Sequence, residues 1–199
     1  MSFRIEEKIL VKENNSFQLK EFLNSQSCKS LYKPRYVQSL YFDNSSLDIL
    51  KDSEEGLVPR KKIRIRSYPN EKDVFNLETK ISSVEGRFKT TKKIDEKKFN
   101  HYVNYGIFDS RYGDCTPKIY VHYHREYFSV KNTRLTYDTN IEYLDLNKRI
   151  ISKEISSVLE IKTGIKSNVE ELLINFPFLR TRYSKYCNGM MATKTKLWR

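Results

Sequence analysis

The segment Arg60-Lys61-Lys62-Ile63-Arg64-Ile65-Arg66 constrains the fold more than any other part of this chain. Side chains of a β-strand alternate between its two faces. An extended chain here sets Lys62, Arg64 and Arg66 on one face and Ile63 and Ile65 on the other. A single strand of this kind is an ordinary amphipathic strand with a solvated face. The pattern, however, recurs. By the same parity Arg4, Glu6 and Lys8 share a face, Glu78 and Lys80 stand opposite Leu77, Thr79 and Ile81, and Arg87 and Lys89 follow. Tyr123 and Arg125 form a further set, Arg134, Thr136 and Asp138 oppose Leu135 and Tyr137, and Glu160 and Lys162 oppose Leu159 and Ile161.

Repeated over a whole sheet, this design gathers charge on one side. Two cations enclosed at about 4 Å repel by about 4 kcal/mol at an effective dielectric near 20. Such an interior is tolerable only with interleaved carboxylates, water and an anionic ligand. A phosphate chain supplies that charge, and arginine forks bind its oxygens in bidentate fashion. The residues therefore predict one α+β domain spanning residues 1–199, dominated by antiparallel strands, whose sheet could roll up with its charges inward.

Charge and composition narrow the function. The chain carries a formal net charge of +12, which points to a polyanionic partner: nucleic acid, an acidic membrane surface or a phosphate-rich small molecule. Its 14 Tyr and 11 Phe exclude a disordered basic tail. Nucleic acid would call for exposed aromatics among cations, for which Tyr120, Tyr123 and Tyr127 are available, but the Glu-x-Lys pairs suit a simple phosphate-backbone groove poorly. Cys28, Cys115 and Cys187 are odd in number and unpaired in spacing, so a reducing, cytoplasmic setting is expected. No apolar run is long enough to span a bilayer and the N-terminus lacks a signal-peptide core, which leaves any membrane association to a partner protein.

Glu78 and Glu160 each stand two residues before a lysine on the same face. A carboxylate in a phosphate site repels the ligand unless a hard divalent cation bridges them, as Mg2+ or Mn2+ does. The alternative is a plain ion pair with the neighbouring lysine, and both readings stay open on the residues alone. Gly164-Ile165-Lys166-Ser167 imitates the end of a P-loop without the upstream glycine. No metalloprotease, kinase or nucleophile-elbow motif occurs, and His101, His122 and His124 form no ligand pattern.

The remaining signals place helices. Asn14-Asn15-Ser16 caps one running to about Ser25, and Asn44-Ser45-Ser46 caps a short one over Leu47 to Leu50. Another runs from Asp95 to Tyr105 and stops at Gly106. Asn168 caps one over Val169 to Asn175, and a last helix covers Tyr183 to Met191. Lys33-Pro34 reads as a break ahead of a strand from Tyr36 to Asp43, and the long aromatic strand is expected from Lys118 to Val130.

Together these residues resemble a known family. Ser39-Leu40-Tyr41-Phe42-Asp43, Lys62-Ile63-Arg64-Ile65-Arg66, Leu77-Glu78-Thr79-Lys80, Lys89, Tyr123-His124-Arg125, Arg134-Leu135-Thr136-Tyr137-Asp138, Val158-Leu159-Glu160-Ile161-Lys162 and Tyr183-Ser184-Lys185-Tyr186 look like the catalytic domain of the vacuolar transporter chaperone. That domain forms the polyphosphate polymerase branch of the triphosphate tunnel metalloenzymes, and the resemblance implies a closed antiparallel β-barrel with a charged interior and helices packed outside. The resemblance runs from Arg4 to about Met190. It implies transfer of the terminal phosphate of ATP to a growing inorganic polyphosphate chain, with ADP leaving and Mn2+ or Mg2+ required. By position, Lys8, Arg64, Arg66, Lys80, Lys89, Arg125 and Lys185 would hold phosphates, with Lys62, Arg134, Lys162 and Ser184 contributing to substrate binding. Glu160 would bind the metal, together with Glu78. Hydrolytic relatives often begin with an E-x-E-x-K strand, whereas this chain has Arg4-Ile5-Glu6-Glu7-Lys8. The missing carboxylate favours a polymerase over a hydrolase of tripolyphosphate or nucleoside triphosphate; a non-catalytic polyphosphate or nucleic-acid binder is the other alternative.

Overall fold

A computed structural model describes residues 4–71, 74–130, 133–164 and 178–196. Ten strands appear in chain order: β1 Arg4–Val11, β2 Lys29–Asp43, β3 Arg60–Ser67, β4 Phe75–Ser82, β5 Arg87–Ile94, β6 Ile107–Asp109, β7 Gly113–Val130, β8 Thr133–Leu144, β9 Ile150–Lys153 and β10 Ser157–Gly164. Among the described residues the α-helices are α1 Ser16–Ser25, α2 Asp48–Glu55, α3 Glu96–Tyr105 and α4 Lys185–Lys196. Among the described residues no helix is long and apolar enough to cross a membrane. The helix expected over Val169 to Asn175 lies outside the described residues.

The strands follow the hydrogen-bonded order β1-β10-β8-β7-β2-β3-β4-β5, with β6 on β7 and β9 on β8. This corrects the expected closed barrel. The path starts at β1 and stops at β5 without the two meeting. The isolated bridge on β1 joins Ile9 to Arg180, not to β5. Edge strand β5 runs through Lys89-Thr90-Thr91-Lys92-Lys93, all five of them exposed. A lysine-rich border is a usual device for ending a sheet without inviting another strand. Alternation reports which face a side chain takes. It carries no information on whether the last strand meets the first, so the barrel could not follow from it.

The chain folds as two compact units. The first is built from Met1–Arg35, Tyr123–Ile141 and Glu154–Tyr183; the second from Tyr36–His122, Glu142–Lys153 and Ser184–Arg199. In the first unit α1 buries Leu19 and Leu23, one helical turn apart, against Ile9, Val11, Leu135, Tyr137, Leu159 and Ile161. These strand residues occupy the parity opposite the charged set, so the apolar face is covered and the charged face is left over. In the second unit Ile63 and Ile65 of β3 are buried, as are Ile49 and Leu50 of α2.

Local chemistry fixes the helix ends. The Asp95 carboxylate accepts from the Lys98 amide at 2.8 Å and caps α3. Gly106 ends that helix at φ +82°, and a Cβ there would lie 2.7 Å from the Cys115 carbonyl oxygen. Asp43, wholly buried, caps α2: Oδ1 accepts from the Ile49 amide at 3.0 Å and Oδ2 from the Leu50 amide at 2.9 Å. Lys33-Pro34 does not break β2, which runs on from Lys29, because proline is tolerated where a strand's N–H faces solvent and this half of the strand is exposed.

Candidate functional site

In the second unit the register of β3, β4 and β5 puts Arg64 opposite Glu78, Lys62 opposite Lys80 and Lys80 opposite Lys89. Among the described residues of these three strands, the same face holds Arg60, Lys62, Arg64, Arg66, Lys80, Arg87, Lys89 and Lys93 against one carboxylate, Glu78. The recurring parity of the sequence thus becomes a continuous field of cations.

Glu78 sits at the centre, only 4% exposed. Its Oε2 accepts from Arg64 Nε at 2.8 Å and lies 2.7 Å from Arg64 Nη2. Its Oε1 takes Arg66 Nη1 at 3.4 Å and the Lys89 ammonium. Burial by itself would raise the Glu78 carboxyl, but Arg64, Arg66 and Lys89 together hold it well below the usual carboxylate range. Glu78 is therefore an anion at any physiological pH, with both oxygens engaged by cations.

Lys62 lies beside this cage. Its ammonium donates to Ser184 Oγ at 2.7 Å, which ties β3 to the residue preceding α4. Burial, with Lys80, Arg60 and Arg64 adding repulsion, pulls the Lys62 ammonium down from its ordinary 10.5 to about 8. Lys185, the next residue after Ser184, is the first of α4. Arg64 is braced from the other side: Nη1 donates to the Tyr41 hydroxyl at 2.9 Å. Tyr41 stacks on Tyr186 with ring centroids 5.3 Å apart, and the Tyr186 hydroxyl donates to Asp43 Oδ2 at 2.6 Å. Burial and the Asp43 carboxylate push the Tyr186 hydroxyl far up, so it remains a donor. Parity along β2 places Ser39, Tyr41 and Asp43 on one face and could have exposed Tyr41. The Tyr186–Asp43 bond spans 143 positions and leaves no local signal.

The first unit gathers the other expected residues, with a different charge balance. Register sets Lys8 opposite Glu160 and Glu6 opposite Lys162 between β1 and β10. It then sets Glu160 opposite Thr136 and Lys162 opposite Arg134 between β10 and β8. Glu160 Oε2 lies 3.1 Å from Lys162 Nζ and 3.9 Å from Arg125 Nη2. Arg125 forks onto Asp138 at 2.6 and 2.7 Å, with both residues buried. Despite its burial, the Asp138 and Glu160 carboxylates hold the Arg125 guanidinium more firmly charged than usual. Burial draws the Lys162 ammonium below its ordinary range, against the pull of Glu160. Lys8 Nζ donates to the Tyr183 carbonyl at 2.8 Å. This face alternates charge, whereas the face of β3, β4 and β5 does not.

A metal ion would have to suit these donors. Among the described residues no three His, Cys, Asp or Glu side chains gather into a ready-made site. Glu78 is enclosed by cations, which favours its ion-pair reading. Glu160, at 8% exposure, is paired with Lys162 and Arg125, and a hard cation could take this single carboxylate while keeping most of its coordination for water and phosphate.

Several solved structures share the fold. A candidate adenylate cyclase from Bacillus halodurans matches with a TM-score of 0.64 at 15% identity, over 92% of this chain and 94% of that one. Another, from Vibrio parahaemolyticus, matches with a TM-score of 0.59 at 13% identity, over 96% and 98%. The PH1819 protein of Pyrococcus horikoshii gives a TM-score of 0.59 at 16% identity, over 96% and 99%. At these identities the likeness is one of fold. No curated protein matches the chain. The VTC domain model matches residues 3–113 and 108–194. With nearly the whole length accounted for in this way, the chain belongs to the VTC domain family.

Proposed function

We propose that this chain is a phosphotransferase that passes the terminal phosphoryl group of ATP to the end of an inorganic polyphosphate chain. The observation that carries the reading is the face of β3, β4 and β5, where eight cations stand against Glu78. Such a face is destabilised by its own repulsion until phosphate oxygens neutralise it. Membership of the VTC domain family supports a triphosphate-handling enzyme.

Phosphoryl transfer asks little covalent chemistry of a protein; positioning and charge stabilisation dominate. The attacking group is a terminal oxygen of polyphosphate. It forms a new P–O bond to the γ-phosphorus as the bond from that phosphorus to the β,γ-bridging oxygen breaks, and ADP departs with the electron pair. Arg64 and Arg66 are forks suited to non-bridging oxygens, and Lys62, Lys80 and Lys89 are point charges beside them. Ser184 and Lys185 join this set in the second unit, and the first unit has a proposed phosphate-binding set of its own in Lys8, Arg125, Arg134 and Lys162. Tyr41 keeps Arg64 aimed. A divalent cation, Mg2+ or Mn2+, arriving on phosphate oxygens would be held by Glu160 and would neutralise ligand charge. In this reading Glu78 serves as the resting counter-ion that fixes the arginines before the ligand arrives.

Incubation with ATP and Mn2+ tests the reading. Acid-labile polymer and stoichiometric ADP are expected, and both should fall at least about 100-fold in Arg66→Ala, as expected for loss of a charge-stabilising donor. Release of orthophosphate without polymer would replace the polymerase by a hydrolase. Tight ATP or polyphosphate binding without turnover would leave a binder.

A further inference from the structure

A row of side chains crosses the first unit from β10 to β2. It begins at Lys162, passes to Arg134 directly opposite on β8, reaches Tyr127 on β7 and ends at Tyr32 on β2. Arg134 lies between two rings: its guanidinium carbon is 5.4 Å from the Tyr127 centroid and 5.6 Å from that of Tyr32. Tyr32 and Tyr127 meet edge to face, with centroids 5.5 Å apart and planes at 89°. Arg35 closes the far side, its Nε donating to the Tyr127 hydroxyl at 3.1 Å and its guanidinium 5.3 Å from that ring.

Two features of this row want a ligand. Among the described residues no carboxylate pairs with Arg134, and its buried Nε finds no hydrogen-bond acceptor. Tyr32 is 52% exposed on the exposed half of β2, so a large planar ring backed by a cation faces water. A phosphate chain would satisfy Lys162 and Arg134 but gains nothing from that ring. A ligand with phosphates at one end and a flat aromatic group at the other uses both. Aromatic platforms edged by cations are how proteins hold nucleobases without reading their edges.

We infer that the Tyr32–Arg134–Tyr127 stack is a nucleobase platform, on which the base of a nucleoside triphosphate lies over Tyr32 while its phosphates meet Arg134 and Lys162. This rests on the phosphate-binding reading above and adds to it the residue that separates nucleotide from bare polyphosphate. Because stacking is blind to base edges, the platform favours a base over none and distinguishes weakly among bases.

Calorimetric titration of the full chain with ATP and, separately, with inorganic tripolyphosphate at one ionic strength tests it. Tyr32 is half in solvent, so its variants keep the fold. Tyr32→Leu should weaken ATP about tenfold, the loss of one base–aromatic stack, and change tripolyphosphate by less than about twofold. Tyr32→Phe, which keeps the ring, should bind ATP as the unmodified chain does. Equal weakening of both ligands, or of neither, overturns the base platform and leaves the phosphate reading standing. An unmodified chain that binds neither ligand overturns the phosphate reading, and the platform with it.

Discussion

Replacing Glu78 by glutamine probes the central electrostatic claim. The substitution keeps the shape of the side chain and removes the charge that Arg64, Arg66 and Lys89 share. The three pairs are unequal. Lys89 is 46% exposed, so solvent screens its share and little is lost there. Arg66 sits at 3.4 Å, a loose contact. Arg64, held through Nε and Nη2 at 2.8 and 2.7 Å, dominates. Breaking a buried ion pair from one side costs about 3–5 kcal/mol, and the partial exposure of Arg64 places this site near the lower figure, about 3 kcal/mol. For a chain of this length that is a drop in Tm of about 6–12 °C. The same change removes an anion from the middle of a proposed phosphate site. Inorganic tripolyphosphate in metal-free buffer should therefore raise the melting temperature of Glu78→Gln by more than it raises that of the unmodified chain. A ligand at about 100 times its Kd contributes about 2.7 kcal/mol, enough to recover most of the loss. Thermal melts followed by circular dichroism, with and without ligand, read both effects. A variant that melts within about 2 °C of the unmodified chain, or gains no more from tripolyphosphate than from sodium chloride of equal ionic strength, would refute the reasoning.

Three further outcomes are expected. Lys62 is cationic below about 8 and loses its proton above that value because burial favours the neutral amine. Triphosphate affinity should therefore fall as pH rises from 7 to 9, and Lys62→Arg should flatten that pH profile in a binding titration. Arg125→Lys replaces a bidentate fork on the buried Asp138 with a single point of contact. Urea unfolding should show a loss of about 1.5–3 kcal/mol. Gly189→Ala in α4 would set a Cβ 2.8 Å from Tyr143 Cδ1 and 2.9 Å from Ile119 Cδ1, and the same assay should show a cost of about 1–3 kcal/mol.

Much of the site was legible before any coordinates because strand alternation is a local rule. Parity alone put Lys62, Arg64 and Arg66 together and opposed them to Ile63 and Ile65, which are indeed buried. It likewise grouped Glu160 with Lys162, and Arg134 with Thr136 and Asp138. Helix α3 was readable over Asp95 to Tyr105 from its Gly106 stop, which acts within a turn of the backbone, and the structure makes Asp95 its cap.

Tertiary pairing decided the rest. Strand order and the failure of β1 to meet β5 depend on long-range hydrogen bonding, to which a local pattern is blind. Register decided that Glu78 faces arginines while Glu160 faces Thr136 and Lys8, a difference that two identical Glu-x-Lys motifs could not express. The Tyr41–Tyr186–Asp43 brace and the Tyr32–Arg134–Tyr127 stack join residues remote in the chain. Side-chain type and parity belong to the sequence because they act between neighbours. Partners belong to the fold because only folding brings distant charges and rings within a few ångströms, where their interactions become strong enough to matter.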